Sequence, residues 1–122
     1  MEAKEYVEGL VEKARAAQKQ IENYTQEQVD ALCREIARTV YDNAEMLAKM
    51  AVEETRMGIY ENKVAKNKGK ARVIWNDLKG KKSVGIINRY PEQGIIEVAK
   101  PMGVVAAITP TTNPIVTPTC NA

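Results

Sequence analysis

The sequence predicts an α/β fold with helices first, then a β hairpin, then the opening strand and turn of a parallel sheet. Three observations carry this expectation. From Val7 to Leu78 apolar residues recur at three and four positions, the period of an amphipathic helix. Val84–Tyr90 and Gly94–Lys100 read as two strands, separated by Pro91, Glu92 and Gln93 with Gly94 closing the turn. Val104–Ile108 is an unbroken run of small and branched apolar residues, the pattern of a strand covered on both faces, and Pro110 and Pro114 bring it to a stop.

The leading helix, from about Ala3 to Asn23, carries Val7, Leu10, Val11, Ala14, Ala17 and Ile21 as one stripe. It is read as packing onto the parent protein, with a docking role as the competing use. Thr25-Gln-Glu-Gln28 forms a capping box, in which each end of the tetrad satisfies an amide of the other. The stripe then runs through Val29, Leu32, Cys33, Ile36, Ala37 and Val40. A restart at Asp42 and Asn43 leads to Met46, Leu47, Met50 and Ala51, read as core, and Gly58 is the expected stop. The lysine-rich stretch from Asn62 to Leu78 presents Ala71, Ile74, Trp75 and Leu78 on one face, with Trp75 as its anchor and Gly80 as its end; the basic residues from Lys63 to Lys82 read as a solvated face.

Composition removes several functions. With 122 residues, 44% hydrophobic and 28% charged, the chain is long enough for one domain with a core. A net charge of +2 gives no footprint for nucleic acid. The absence of an 18-residue apolar run or a signal-type start argues against a membrane span or export, so the expected location is cytoplasmic. The chain has no histidine, which excludes Cys–His and Ser–His nucleophile pairs, and Cys33 and Cys120 have no metal-ligand spacing, so no metal site is expected. Neither cysteine is taken as a catalytic nucleophile.

The stretch richest in chemistry follows the last strand. Thr111, Thr112 and Asn113 place two hydroxyls and a carboxamide just past its C-terminal end, where open α/β sheets bind ligands. The same residues also suit a structural use, with Asn113 as an N-cap and Pro114 as the first helical residue. On the residues alone, both readings stand: a small-molecule site in an enzyme, or a turn in a helical interaction module with a β hairpin and no catalytic role.

Glu97–Pro114 resembles the start of the nucleotide-binding domain of CoA-acylating aldehyde dehydrogenases. Tyr24–Asp30, Leu47–Glu54, Met57-Gly58 and Lys63–Asn67 resemble the N-terminal helices of the same family, so the likeness spans nearly the whole chain. It is greatest to the succinate-semialdehyde dehydrogenases, through Trp75-Asn76, Lys81–Ile87 and Thr117–Ala122. The resemblance implies residues 1–82 as an N-terminal helical segment, 83–102 as a hairpin of the bridging and oligomerisation region, and 103–122 as the truncated start of an NAD(P)-binding domain. It implies oxidation of a small aldehyde by NAD or NADP with coenzyme A as co-substrate, in a homo-oligomer (a dimer or higher), through a cysteine thioester whose nucleophile lies past Ala122. Ile108, Thr109, Pro110, Thr111, Thr112 and Asn113 then line the cofactor site. No glycine-rich fingerprint accompanies them, as in aldehyde dehydrogenases generally. Non-acylating members place an oxyanion-donating asparagine where this chain has Thr112, and Asn113 comes one step later. Thr112, Asn113 or neither is the donor here.

Overall fold

The structure, a computed structural model, describes residues 2–122 as helices α1 (Ala3–Ile21), α2 (Gln26–Asp42), α3 (Ala44–Thr55) and α4 (Tyr60–Leu78), strands β1 (Gly85–Tyr90) and β2 (Ile95–Ala99), and a last short helix α5 (Val116–Asn121). They fall into two units. One takes the chain up to Val29 with Lys82–Ala106, and the other takes Asp30–Lys81 with Ala107–Ala122.

In the first unit the capping box forms as its spacing dictates. The Thr25 amide donates to Gln28 Oε1 at 2.9 Å and the Gln28 amide to Thr25 Oγ1 at 3.3 Å. The next residue inward does something the sequence does not announce. Gln26 Oε1 accepts from the amides of Ser83 at 2.7 Å and Val84 at 3.0 Å, while its Nε2 donates to Ser83 Oγ at 3.1 Å. The start of α2 thereby fixes the chain entering the hairpin. β1 and β2 pair antiparallel, Gly85 opposite Ala99 and Tyr90 opposite Ile95, with an irregularity between Ile86 and Asn88. Gly94, at φ 66°, takes the left-handed conformation that closes the connecting turn. α1 buries none of its residues, and Val7 and Leu10 stand exposed.

The second unit packs α3 and α5 on α4, and its buried apolar residues are all alanines: Ala37, Ala44, Ala48, Ala51 and Ala71. Small side chains bring the helices close, and this reverses one expectation. Ala44, Ala48 and Ala51 occupy one face of α3, so Met46 and Met50, about 200° around the helix, point away and are exposed rather than core. Nor does Gly58 end α3. The helix stops at Thr55, with Arg56 in the left-handed conformation at φ 53° and Gly58 at φ 82° shaping the connection to α4. Trp75 is half-buried beside Ala37, Tyr41 and Ala71, around a cavity of about 240 Å³.

The expected strand at Val104–Ile108 has no sheet partner among the described residues, whose one sheet is the two-stranded hairpin. A parallel strand exists only against a neighbour brought by a crossover connection, and residues 103–122 deliver none. The run is left uncovered, with Ile108 94% exposed.

Candidate functional site

The turn after Ile108 is closed by the main chain. The Asn113 amide donates to the Pro110 carbonyl at 3.2 Å, and the Asn113 carbonyl accepts from the Thr117 amide at 3.3 Å. α5 begins only at Val116, with Ile115 at its N-cap, so Pro114 is not its first residue and the Asn113 side chain does not cap it.

That side chain is engaged elsewhere. Lys66 Nζ, reaching from α4, donates to Asn113 Oδ1 at 2.8 Å and to the Thr112 carbonyl at 3.2 Å. A cation accepts nothing, so Oδ1 must face the ammonium and Nδ2 must face away. Nδ2 lies 3.5 Å from Thr112 Oγ1, at the limit of a hydrogen bond, and so retains donor capacity. Drawing electron density toward a cation also strengthens the opposite N–H as a donor.

α4 holds Lys66 in place through its neighbours. Asn67, 3% exposed, donates from Nδ2 to the Ala44 carbonyl at 3.2 Å, and Lys68 pairs with Glu45 at 3.1 Å. Lys63 lies on the same face, one turn before Lys66. It is 7% exposed, which corrects its assignment to a solvated face. Its stem lies against Gly58, where an added Cβ would come within 3.0 Å of Cε. Burial, and after it the charge of Lys63, pushes the Lys66 ammonium below its ordinary pKa.

The two lysines face a cleft of about 400 Å³, whose walls are Met57, Gly58 and Ile59 from the α3–α4 connection, Asn62, Lys63 and Lys66 from α4, and Thr112 from the turn. No carboxylate lines it. Of the residues singled out in the sequence, Ile108, Thr109, Pro110, Thr111 and Thr112 are exposed and Asn113 is half-buried. The Thr111 hydroxyl, the Thr112 hydroxyl, which can donate while it accepts from Asn113 Nδ2, and an oriented Asn113 N–H suit the hydroxyl and carbonyl groups of a small polar ligand. The sequence signal for the lysines, an i, i+3 pair upstream of the turn, carries no mark of its own. Both cysteines are free thiols; Cys33 is half-buried, its pKa raised by burial and then by Asp30, and Cys120 is exposed.

The whole chain, residues 1–122, matches the model of the aldehyde dehydrogenase family. The chain belongs to that family. It is 60% identical over 95% of its length to succinate-semialdehyde dehydrogenase (acetylating) of Clostridium kluyveri, covering 26% of that protein. It is 51% identical over 90% of its length to sulfoacetaldehyde dehydrogenase (acylating) of Bilophila wadsworthia, covering 24% of it. Among solved structures, an acetylating aldehyde dehydrogenase from Geobacillus thermoglucosidasius superposes with a TM-score of 0.90 at 41% identity, covering 96% of this chain and 26% of that one. The chain thus spans about a quarter of the length of the relatives it matches. The helices, hairpin and turn are those of the aldehyde dehydrogenase α/β fold. No helix among the described residues is long and apolar enough to cross a membrane.

Proposed function

We propose that this chain is part of a CoA-acylating aldehyde dehydrogenase that converts an aldehyde, coenzyme A and NAD or NADP to an acyl-CoA and NAD(P)H, with succinate semialdehyde as the preferred substrate. The observation that carries this reading is the 60% identity, over 95% of the chain, to an acetylating succinate-semialdehyde dehydrogenase. The nicotinamide, when bound, supplies the hydride acceptor, and coenzyme A takes the acyl group from a cysteine thioester whose nucleophile lies outside residues 1–122.

The residues of this chain bind and orient. The backbone of Ile108, Thr109 and Pro110, the Thr111 and Thr112 hydroxyls and Asn113 Nδ2 would hold the nicotinamide cofactor. Because Lys66 turns Nδ2 outward, Asn113 is a better oxyanion donor than the Thr112 hydroxyl, which has one proton and a free rotor. Residues 1–82 form the helical segment, 83–102 the bridging hairpin, and 103–122 the start of the nucleotide-binding domain. Exposed Ile86, Ile95 and Val98 on the hairpin favour burial against another subunit of a cytoplasmic homo-oligomer.

The test is an assay of the full-length enzyme with succinate semialdehyde, monitoring NADH and NADPH at 340 nm and acyl-CoA by mass spectrometry. Reduction of the nicotinamide with stoichiometric succinyl-CoA is expected. Release of free succinate with no dependence on coenzyme A would overturn the acylating assignment.

A further inference from the structure

Lys63 combines a buried stem with an ammonium that no protein group engages. The residue is 7% exposed, and its side chain makes no hydrogen bond or ion pair among the described residues. No buried side-chain nitrogen among the described residues lacks a partner, so the Lys63 ammonium keeps its contact with water at the cleft and its three donors are open to a ligand. Here the stem is pinned between α4 and Gly58 and the residue lines the cleft beside Thr112. Lys66 adds to the field. Of its three N–H donors, two are taken by Asn113 and the Thr112 carbonyl and one remains. No acidic side chain lines the cleft to offset the two charges, and Lys63 acts on Lys66 strongly enough to help lower its pKa. Two like charges held one helical turn apart on a wall without carboxylates make a preorganised receptor for an anion, because the repulsion between them is relieved when the anion arrives.

We propose that Lys63, with the remaining donor of Lys66, binds the anionic end of a ligand, a carboxylate, sulfonate or phosphate, in the cleft beside the Thr112–Asn113 turn. The choice of ligand rests on the proposed function, which offers two sources of this chemistry: the acid group at the far end of an aldehyde substrate, or a phosphate of coenzyme A or the nicotinamide cofactor. Asn62 adds an uncharged hydrogen-bonding group to the same wall, as recognition of a multi-oxygen anion requires. Replacing Lys63 by Met keeps the stem against Gly58 and removes only the charge.

The experiment uses the full-length enzyme and its Lys63→Met and Lys63→Arg variants. Isothermal titration with succinate and with inorganic phosphate should show binding to the parent, about tenfold to a hundredfold weaker binding to Lys63→Met, and partial retention in Lys63→Arg. Steady-state kinetics then identify the source. If the acid group of the aldehyde is bound, the ratio of kcat/KM for succinate semialdehyde to that for butanal falls by a similar factor in Lys63→Met. If a phosphate is bound, the preference for coenzyme A over dephospho-coenzyme A, or for NADP over NAD, falls instead. Should the enzyme turn over no aldehyde while anion binding still depends on Lys63, the proposed function fails and the anion site stands. Equal binding of both probes by parent and Lys63→Met, or none by either, together with unchanged kinetic ratios would overturn the inference.

Discussion

Lys66 Nζ lies 2.8 Å from Asn113 Oδ1, a bond between an α4 side chain and a turn 47 residues later that sets which way the Asn113 carboxamide faces. A half-buried ammonium donating to a carboxamide and a carbonyl stabilises by about 1 kcal/mol after allowance for solvent. Lys66→Met should therefore loosen the turn more than it destabilises the unit. Hydrogen exchange should quicken at the Asn113 amide, whose partner is the Pro110 carbonyl, while amides in the middle of α4 keep their parent rates. Equal exchange at Asn113 in parent and variant would mean the turn holds without the lysine.

The pH dependence of Lys66 has a definite sign. Burial first and the Lys63 charge second lower its folded pKa below the ordinary 10.5. Between that lowered value and 10.5 the unfolded chain binds more protons than the folded one, so the contribution of this group to stability rises with pH across the window. Lys63→Met removes the second cause. A titration of Lys66 by ¹³Cε chemical shift should show its pKa moving up in Lys63→Met, toward 10.5. A downward move, or none, would contradict the coupling.

Gln26 offers a test in the other unit. Its carbonyl oxygen serves the amides of both Ser83 and Val84, and its Nε2 serves the Ser83 hydroxyl. Gln26→Ala removes these bonds at an exposed to half-buried site, and a loss of about 1–2 kcal/mol is expected. Gln26→Glu should recover most of it, since a carboxylate accepts from both amides. Chemical denaturation of the full-length parent and variants checks the order. A Gln26→Ala protein as stable as the parent would show the contact to be incidental.

What the sequence discloses follows from distance along the chain. The capping box at Thr25 and Gln28, and the hairpin turn closed by Gly94, are local, with partners a few residues apart, and both form as read. The contacts from Gln26 to Ser83 and from Lys66 to Asn113 span 57 and 47 residues, and no local pattern encodes such a meeting. Methionine hydrophobicity placed Met46 and Met50 inward, but close helix packing selected the alanine face of α3. Pattern also made Val104–Ile108 a strand, although a strand is defined by a neighbour that these residues do not supply. The turn residues were legible as chemistry. The lysine wall opposite them was not, because a buried lysine and a solvated one look alike in sequence.

The most direct measurement of the account is cofactor affinity at the turn. Asn113→Leu in the full-length enzyme removes the donor that Lys66 orients, and Thr111→Val and Thr112→Val remove the hydroxyls. Losing one hydrogen bond costs about 0.5–1.5 kcal/mol, and more where a buried partner is left unpaired. At about 1.4 kcal/mol per tenfold, NAD or NADP should bind Asn113→Leu several-fold to a hundredfold more weakly. Since the side chain caps no helix, the melting temperature should fall only by what the lost Lys66 bond explains. Weakened cofactor binding with a nearly parental Tm is the result the account predicts. Parental affinity for both nucleotides in all three variants, with only Asn113→Leu melting earlier, would contradict it and leave the turn a structural element alone.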